Sequence, residues 1–242
     1  MKKYLLTAIA VLICASASAQ YPVRRASVGH GPSASSSHSA FWGRRRADKS
    51  FLDVHFTYSP TKLELKQMSF KDKTSYNSVG GGLKYDLSFF HTPLYFEAGL
   101  NFRYSWHNGS TNKALPLLPA NDASSQTGSK FFDISIPFGL MYKLHLGNTR
   151  VALAPYIGFD ADIFALGKFT KALSRSEEID MDIFKDQYAA NRFVFGWHAG
   201  GRLYMGPVFL GVGYEGPLSH FVKSKEGSTD FHYCDISVGL CF

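Results

Sequence analysis

The sequence predicts an all-β protein, an eight-stranded antiparallel up-and-down transmembrane β-barrel behind a disordered N-terminal leader. Three observations predict it. From Phe51 onward apolar and polar residues alternate with a period of two in eight successive segments. The connections between those segments alternate between short and long. One face of the segments is almost entirely Phe, Tyr, Trp, Leu and Ile, whereas the other is crowded with glycine.

Two stretches precede the strands. Residues 1–19 have the pattern of a secretory signal peptide: basic Lys2 and Lys3, an apolar run from Tyr4 to Cys14, and the small residues Ala17-Ser18-Ala19. The run is too short for a membrane helix, which needs roughly 20 apolar residues, and the mature chain is expected to begin at Gln20. A lipoprotein acylated at Cys14 is the rival, but Ile13 stands where a small residue is needed. Residues 20–50, rich in Ser, Gly, Arg and His, read as a flexible leader. Without Lys2 and Lys3 the chain has 24 basic and 19 acidic residues, and the surplus lies in this leader. It is either a solvated linker or a basic tether for anionic lipid or cell-wall polymer. The body, 51–242, is neutral, so the high pI carries no argument for nucleic acid.

The first strand sets Leu52, Val54, Phe56 and Tyr58 against Asp53, His55 and Thr57. The second, within Tyr76 to Ser88, sets Val79, Leu83, Tyr85 and Leu87 against Lys84 and Asp86. The third runs from Leu94 to Trp106, with Glu97, Asn101, Arg103 and Ser105 on its polar face. The fourth runs from Phe132 to Leu146, opposed by Asp133, Ser135, Lys143 and His145. The fifth carries Val151, Leu153, Ile157, Phe159 and Ile163 opposite Tyr156, Asp160 and Asp162. The sixth shows Phe193, Phe195, Trp197, Leu203 and Met205 against His198 and Arg202, and Gly206-Pro207 leads into the seventh, Val208 to Glu215. The eighth ends with Ile236, Val238, Leu240 and Phe242 opposite Asp235 and Ser237. Pro137 and Pro155 fall inside the fourth and fifth strands, where a missing N–H predicts a bulge or an irregular ladder.

The links after strands two, four and six are short; those after one, three, five and seven are long. Short periplasmic turns and long external loops mark an outer-membrane barrel, with both termini periplasmic. Volume decides which face is inside. An eight-stranded barrel has room only for side chains that fill it, so the glycines, among them Gly80, Gly82, Gly99, Gly139, Gly158, Gly200 and Gly239, mark the lumen and the large apolar residues face lipid. Cys234 and Cys241 lie seven residues apart in one strand, roughly 23 Å and on opposite faces, out of disulfide reach.

Chemistry is sparse. Arg103, Asp160, Asp162, His198, Arg202, Glu215 and Asp235 are expected to share the lumen as an ion network, or to line a narrow path for ions. Ser219 and His220, with Asp230 and His232 across the last loop, have the residue types of a hydrolytic rim site, although adjacent strand residues point apart. The acidic run Glu177 to Asp182 lacks the glycine and distal Glu of an EF-hand. Ser174 and Glu177 instead read as a capping box opening a short external helix. No phosphate loop, zinc spacing or nucleotide fingerprint is present, so no cofactor, metal or catalytic residue is assigned.

The signal peptide followed by Gln20, the run Gly211-Val-Gly-Tyr-Glu-Gly-Pro-Leu218 and the terminus Ile236-Ser-Val-Gly-Leu-Cys-Phe242 resemble the small outer-membrane β-barrel proteins of Bacteroidetes-type bacteria, PorT-like proteins included. The resemblance covers 51–242. It implies residence in an outer membrane with lipid and lipopolysaccharide as neighbours, Phe242 as a signal for the barrel-insertion machinery, and external loops, including Leu115 to Pro119, for a protein partner or surface. The expected role is non-catalytic, with two alternatives: an accessory barrel in secretion-complex assembly and a lipid A-modifying enzyme.

Overall fold

A computed structural model describes residues 50–67, 70–89, 92–108, 126–146, 150–174, 177–184, 190–223 and 227–242. The signal peptide, the leader up to residue 49 and the segment Leu115 to Pro119 lie outside the described residues. Eight long strands form the body: β1 (Phe51–Gln67), β2 (Phe70–Ser88), β3 (Leu94–Asn108), β4 (Gln126–Tyr142), β5 (Val151–Ser174), β6 (Phe193–Met205), β7 (Val208–Pro217) and β8 (Gly227–Cys241). Each pairs antiparallel with its successor, and β1 closes on β8 from Asp53↔Cys241 to Gln67↔Gly227. Leu52 and Phe242 exchange backbone hydrogen bonds of 3.1 and 2.9 Å at the seam. The sheet therefore has no free edge within the barrel, as an all-strand membrane crossing requires.

The two faces fall as volume dictates. Leu52, Val54, Phe56, Leu83, Tyr85, Phe102, Phe138, Ile157, Phe195 and Val212 are exposed on the outside, forming an apolar belt that only lipid would cover. The glycines face inward in tight quarters. A methyl built on Gly139 would lie 2.8 Å from the Gly158 Cα, and one on Gly158 2.7 Å from the Gly139 Cα, so β4 and β5 approach this closely only because both side chains are absent. At the β6–β7 turn Gly206 takes φ 68°, a conformation glycine adopts without a Cβ penalty.

The interior is not polar throughout. Two buried aromatic clusters cap a charged middle. Toward the hairpin end lie Phe131, Phe164, Phe169, Phe221 and Phe231 with Leu63 and Tyr76. Toward the end where Leu52 meets Phe242 lie Tyr95, Met141, Tyr204 and Phe209, with Phe51 packed against them. Phe131 meets Phe164, Phe169, Phe221 and Phe231 edge-on at 5.1 to 6.5 Å between centroids.

These clusters explain the first correction. The link after strand one is not a long loop: β1 continues to Gln67 and β2 starts at Phe70. Within the belt the apolar residues of β1 are even-numbered and face out. Above it Leu63 and Leu65 are buried inside, while Lys62 and Lys66 are exposed outside. The alternation continues but its phase inverts, because solvent replaces lipid outside and an apolar plug replaces the charged lumen inside. The second correction concerns 174–183. Glu177–Asp182 is a strand pairing with the end of β5, from Lys168↔Asp182 to Ser174↔Glu177, not a capped helix. Cross-strand contacts of Asp180 with Thr170 at 3.0 Å and Lys168 at 3.7 Å favour the hairpin.

The prolines are accommodated with less disturbance than a bulge. The β3–β4 ladder skips Ile136 and Pro137 and resumes in the same register. Pro155 sits where the β4 ladder is interrupted between Tyr156 and Leu153, while its pairing with Gly201 of β6 is kept. The register shifts of this ladder lie elsewhere, one between Gln126 and Gly128 and one opposite Phe132 and Asp133, where β5 passes from Leu166 to Phe164. Cys234 and Cys241 are free, the first exposed and the second turned inward.

Candidate functional site

Period-two geometry sends every second residue of each strand into one confined layer between the plugs. Arg103 of β3 donates from Nε to Asp133 of β4 at 3.2 Å and from Nη1 to Glu215 of β7 at 2.7 Å. Its guanidinium lies 3.5 Å over the Tyr233 ring of β8. Arg202 of β6 meets Glu97 at 2.5 Å, Asp53 at 3.2 Å and Asp86 at 3.8 Å, three carboxylates from three strands. Lys84 takes the other oxygen of Glu97 at 2.9 Å, and Tyr204 Oη donates to Asp53 at 3.0 Å. His198 Nδ1 is 2.8 Å from Asp160 Oδ2, and Ser59 donates to Asp235.

Of the seven residues expected to form this network, Arg103 and Glu215 pair with each other, as do His198 and Asp160. Arg202 is joined to none of the other six; its partners are Asp53, Asp86 and Glu97. Asp162 is 7% exposed and stands at a small cavity with Asp160 and Glu215, its Oδ1 without a hydrogen-bond partner among the described residues. The residues left out of the expectation, Asp53, Lys84, Asp86, Glu97 and Asp133, all occupy polar faces visible in the sequence. What the sequence lacks is the stagger between strands. Only the register puts Asp86 beside Glu97 and Asp133 beside Arg103.

The layer holds water-sized space rather than a passage. A cavity of about 40 Å³ lies among Lys84, Tyr156, Asp160, His198, Glu215 and Asp235, room for roughly two or three waters. Among the described residues no cluster of three or more His, Cys, Asp or Glu has a metal-holding arrangement.

On the outer surface, His220 Nδ1 lies 2.8 Å from Asp230 Oδ1, the acid–base half of a hydrolytic group. Ser219 does not complete it: its Oγ accepts the Phe195 backbone N–H at 2.7 Å. His232 turns instead to Tyr214 Oη at 2.7 Å and Glu64 at 3.2 Å. Glu64 also gathers Lys71 at 2.8 Å, Lys73 at 3.4 Å and Lys66 at 3.7 Å. Burial pushes the Glu64 carboxyl up, but the Lys71 hydrogen bond and the charges of Lys73 and Lys66 outweigh it and hold it at about 2. Burial lowers the His232 imidazole; Glu64 and Asp230 oppose this, while Lys66 and Lys73 add to it. Phe242 stands 68% exposed at the foot of the belt, beside the seam.

A closed eight-stranded barrel with an apolar belt, an ion-paired middle and aromatic plugs defines a transmembrane β-barrel. No protein-family model matches the chain, and no curated protein does. Among solved structures it is similar to Ail, the attachment invasion locus protein of Yersinia pestis, seen in complex with the heparin analogue sucrose octasulfate, at 12% identity and TM-score 0.44, covering 81% of this chain and 100% of that one. It is similar to Neisserial surface protein A at 14% identity and TM-score 0.42, with the same coverage. It is also similar to the outer membrane enzyme PagL at 13% identity and TM-score 0.45, covering 78% and 98%. The fold assignment rests on the strand pairing itself.

Proposed function

We propose that this chain is an integral barrel of a Gram-negative outer membrane that neither conducts nor catalyses, and that it presents the strands beyond its belt to lipopolysaccharide, to a protein or to a surface. The termini are periplasmic in this reading, and Phe242 serves the insertion machinery. The observation that carries it is the interior: an ion-paired layer closed above and below by aromatic clusters, on strands that outrun the belt. A membrane crossing needs roughly 9 to 11 tilted residues per strand, whereas β1 has 17 and β5 has 24. The surplus length is where binding belongs, on a rigid scaffold.

Planar-bilayer recording tests this. Purified barrel is expected to give no steady conductance, and a reproducible ion-selective current would overturn the sealed reading. The PorT-like alternative, an accessory barrel of a secretion complex, predicts stoichiometric co-purification of secretion components in mild detergent. The enzyme alternative predicts altered lipid A masses on deletion. It has His220 and Asp230 in its favour and the engaged Ser219 hydroxyl against it.

A further inference from the structure

The outward positions of the β1–β2 hairpin carry a concentration of charge that the sealed barrel does not use. The apolar belt stops sharply on three adjoining strands. Register aligns Tyr58 with Val79 and Ile236, and one step higher Pro60 stands beside Asn77. Tyr104 and Trp106 stack at 5.8 Å at the same level of β3, and Tyr58 donates to Asn77 at 3.0 Å. Such rings belong at a membrane–water interface.

Directly above them come Lys62, Lys66, Lys71 and Lys73, all exposed, and three of them gather on the Glu64 carboxylate. Asp230, the next outward acid, is occupied by His220. Lys66 and Lys71 are direct cross-strand partners, a like-charge pairing that a sheet disfavours. At about 3.3 Å per residue and a tilt near 40°, the lysines rise roughly 10 to 20 Å above the Tyr58 level. Their flexible stems also let the ammonium groups reach down toward the interface.

We propose that this hairpin binds the phosphate-bearing headgroup of lipopolysaccharide in the outer leaflet. The proposal rests on the membrane reading above and names its lipid partner. Net positive charge above the aromatic ring, on side chains long enough to reach down toward it, is complementary to an anionic glycolipid whose acyl chains pack on the belt below. An external anion relieves the like-charge repulsion of the cross-strand pair Lys66 and Lys71. A free anion would gain nothing from the adjoining belt, which is why the lipid is the occupant.

The test uses the mature chain in dodecyl maltoside, titrated with rough-type lipopolysaccharide, with the same material dephosphorylated, and with inorganic phosphate. K62Q/K66Q/K71Q/K73Q is expected to weaken binding of the phosphorylated form about tenfold or more. K130Q/K168Q, on β4 and β5, should change it less than about twofold. Glu64→Gln, which removes the carboxylate that Lys66, Lys71 and Lys73 share, should tighten binding while lowering thermal stability, an outcome a merely structural lysine cluster would not give. Equal affinity for dephosphorylated lipopolysaccharide, equal competition by inorganic phosphate, or equal effects of the two lysine sets would each overturn the proposal. If the quadruple variant does not fold, by loss of faster migration before boiling, Glu64→Gln decides alone: unchanged or weaker binding sinks it. Conductance bears on the sealed-barrel reading and is unaffected by these variants, so the two failures are distinguishable.

Discussion

Arg202 holds more buried carboxylates than any other described cation of the lumen, since it stands against Asp53, Asp86 and Glu97 and is 3% exposed. Removing one partner of a buried pair leaves the other uncompensated and costs about 3–5 kcal/mol. Arg202→Met is therefore expected to lower the urea stability of the micelle-bound barrel by about that amount. A loss under about 1 kcal/mol would mean water carries these carboxylates unaided. Glu64 gives a prediction of opposite kind, at the solvent end. Its carboxyl, ordinarily near 4.5, is held at about 2 in the fold. A lowered carboxylate contributes stability that is present above the unfolded value and lost as pH falls through the folded one. Wild-type stability should drop between about pH 4.5 and 2, and Glu64→Gln should flatten that part of the profile. An identical profile in the variant would show that other carboxyls set it.

At the scale of the element, what the strands tolerate is set by how closely their backbones approach. Gly158 faces Gly139 across β4 and β5 with His198 Nε2 2.7 Å from where a methyl would sit, so Gly158→Val should abolish the fast-migrating form on unboiled gels. Gly201→Ala, with nothing within 4 Å, should leave it intact. The same elements show what was legible in advance. Strand identity, order and facing could be read from alternation, because lipid outside and glycine inside impose it over the belt. The upper halves of β1 and β2 could not, because Leu63 and Leu65 change phase with respect to Val54 and Phe56 where lipid gives way to water. The strand at Glu177–Asp182 was hidden for a related reason: the spacing of Ser174 and Glu177 fits a helix cap as well as it fits the cross-strand pair they form. In the candidate site, facing was legible and pairing was not. Asp162 and Arg202 could be placed in the lumen, but their neighbours depend on stagger, which is a property of ladders rather than of any one segment.

For the whole molecule, closure is achieved twice, once by the seam between β1 and β8 and once by the plugs inside it. The plugs act in series, so opening one end should change nothing that a current can report. F131A/F231A at one end and Tyr204→Ala at the other are each expected to stay silent in planar bilayers, because the other cluster and the ion-paired layer between them still block the lumen. Conduction by either alone would place the whole seal in one cluster. The strands also set reach. At about 3.3 Å per residue and a tilt near 40°, the 24 residues of β5 climb roughly 60 Å, of which a belt about 25 Å tall takes less than half. Beyond the belt β5 stays hydrogen-bonded to β4 on one side and to Glu177–Asp182 on the other, with register shifts at Phe164–Leu166 and at Ala172–Ser174. The exposed apolar residues of β5 run from Leu153 to Leu166, so its last eight residues rise roughly 20 Å beyond the belt, which in the proposed orientation carries them past the height of lipid headgroups to where another cell, or a large extracellular molecule, would first make contact.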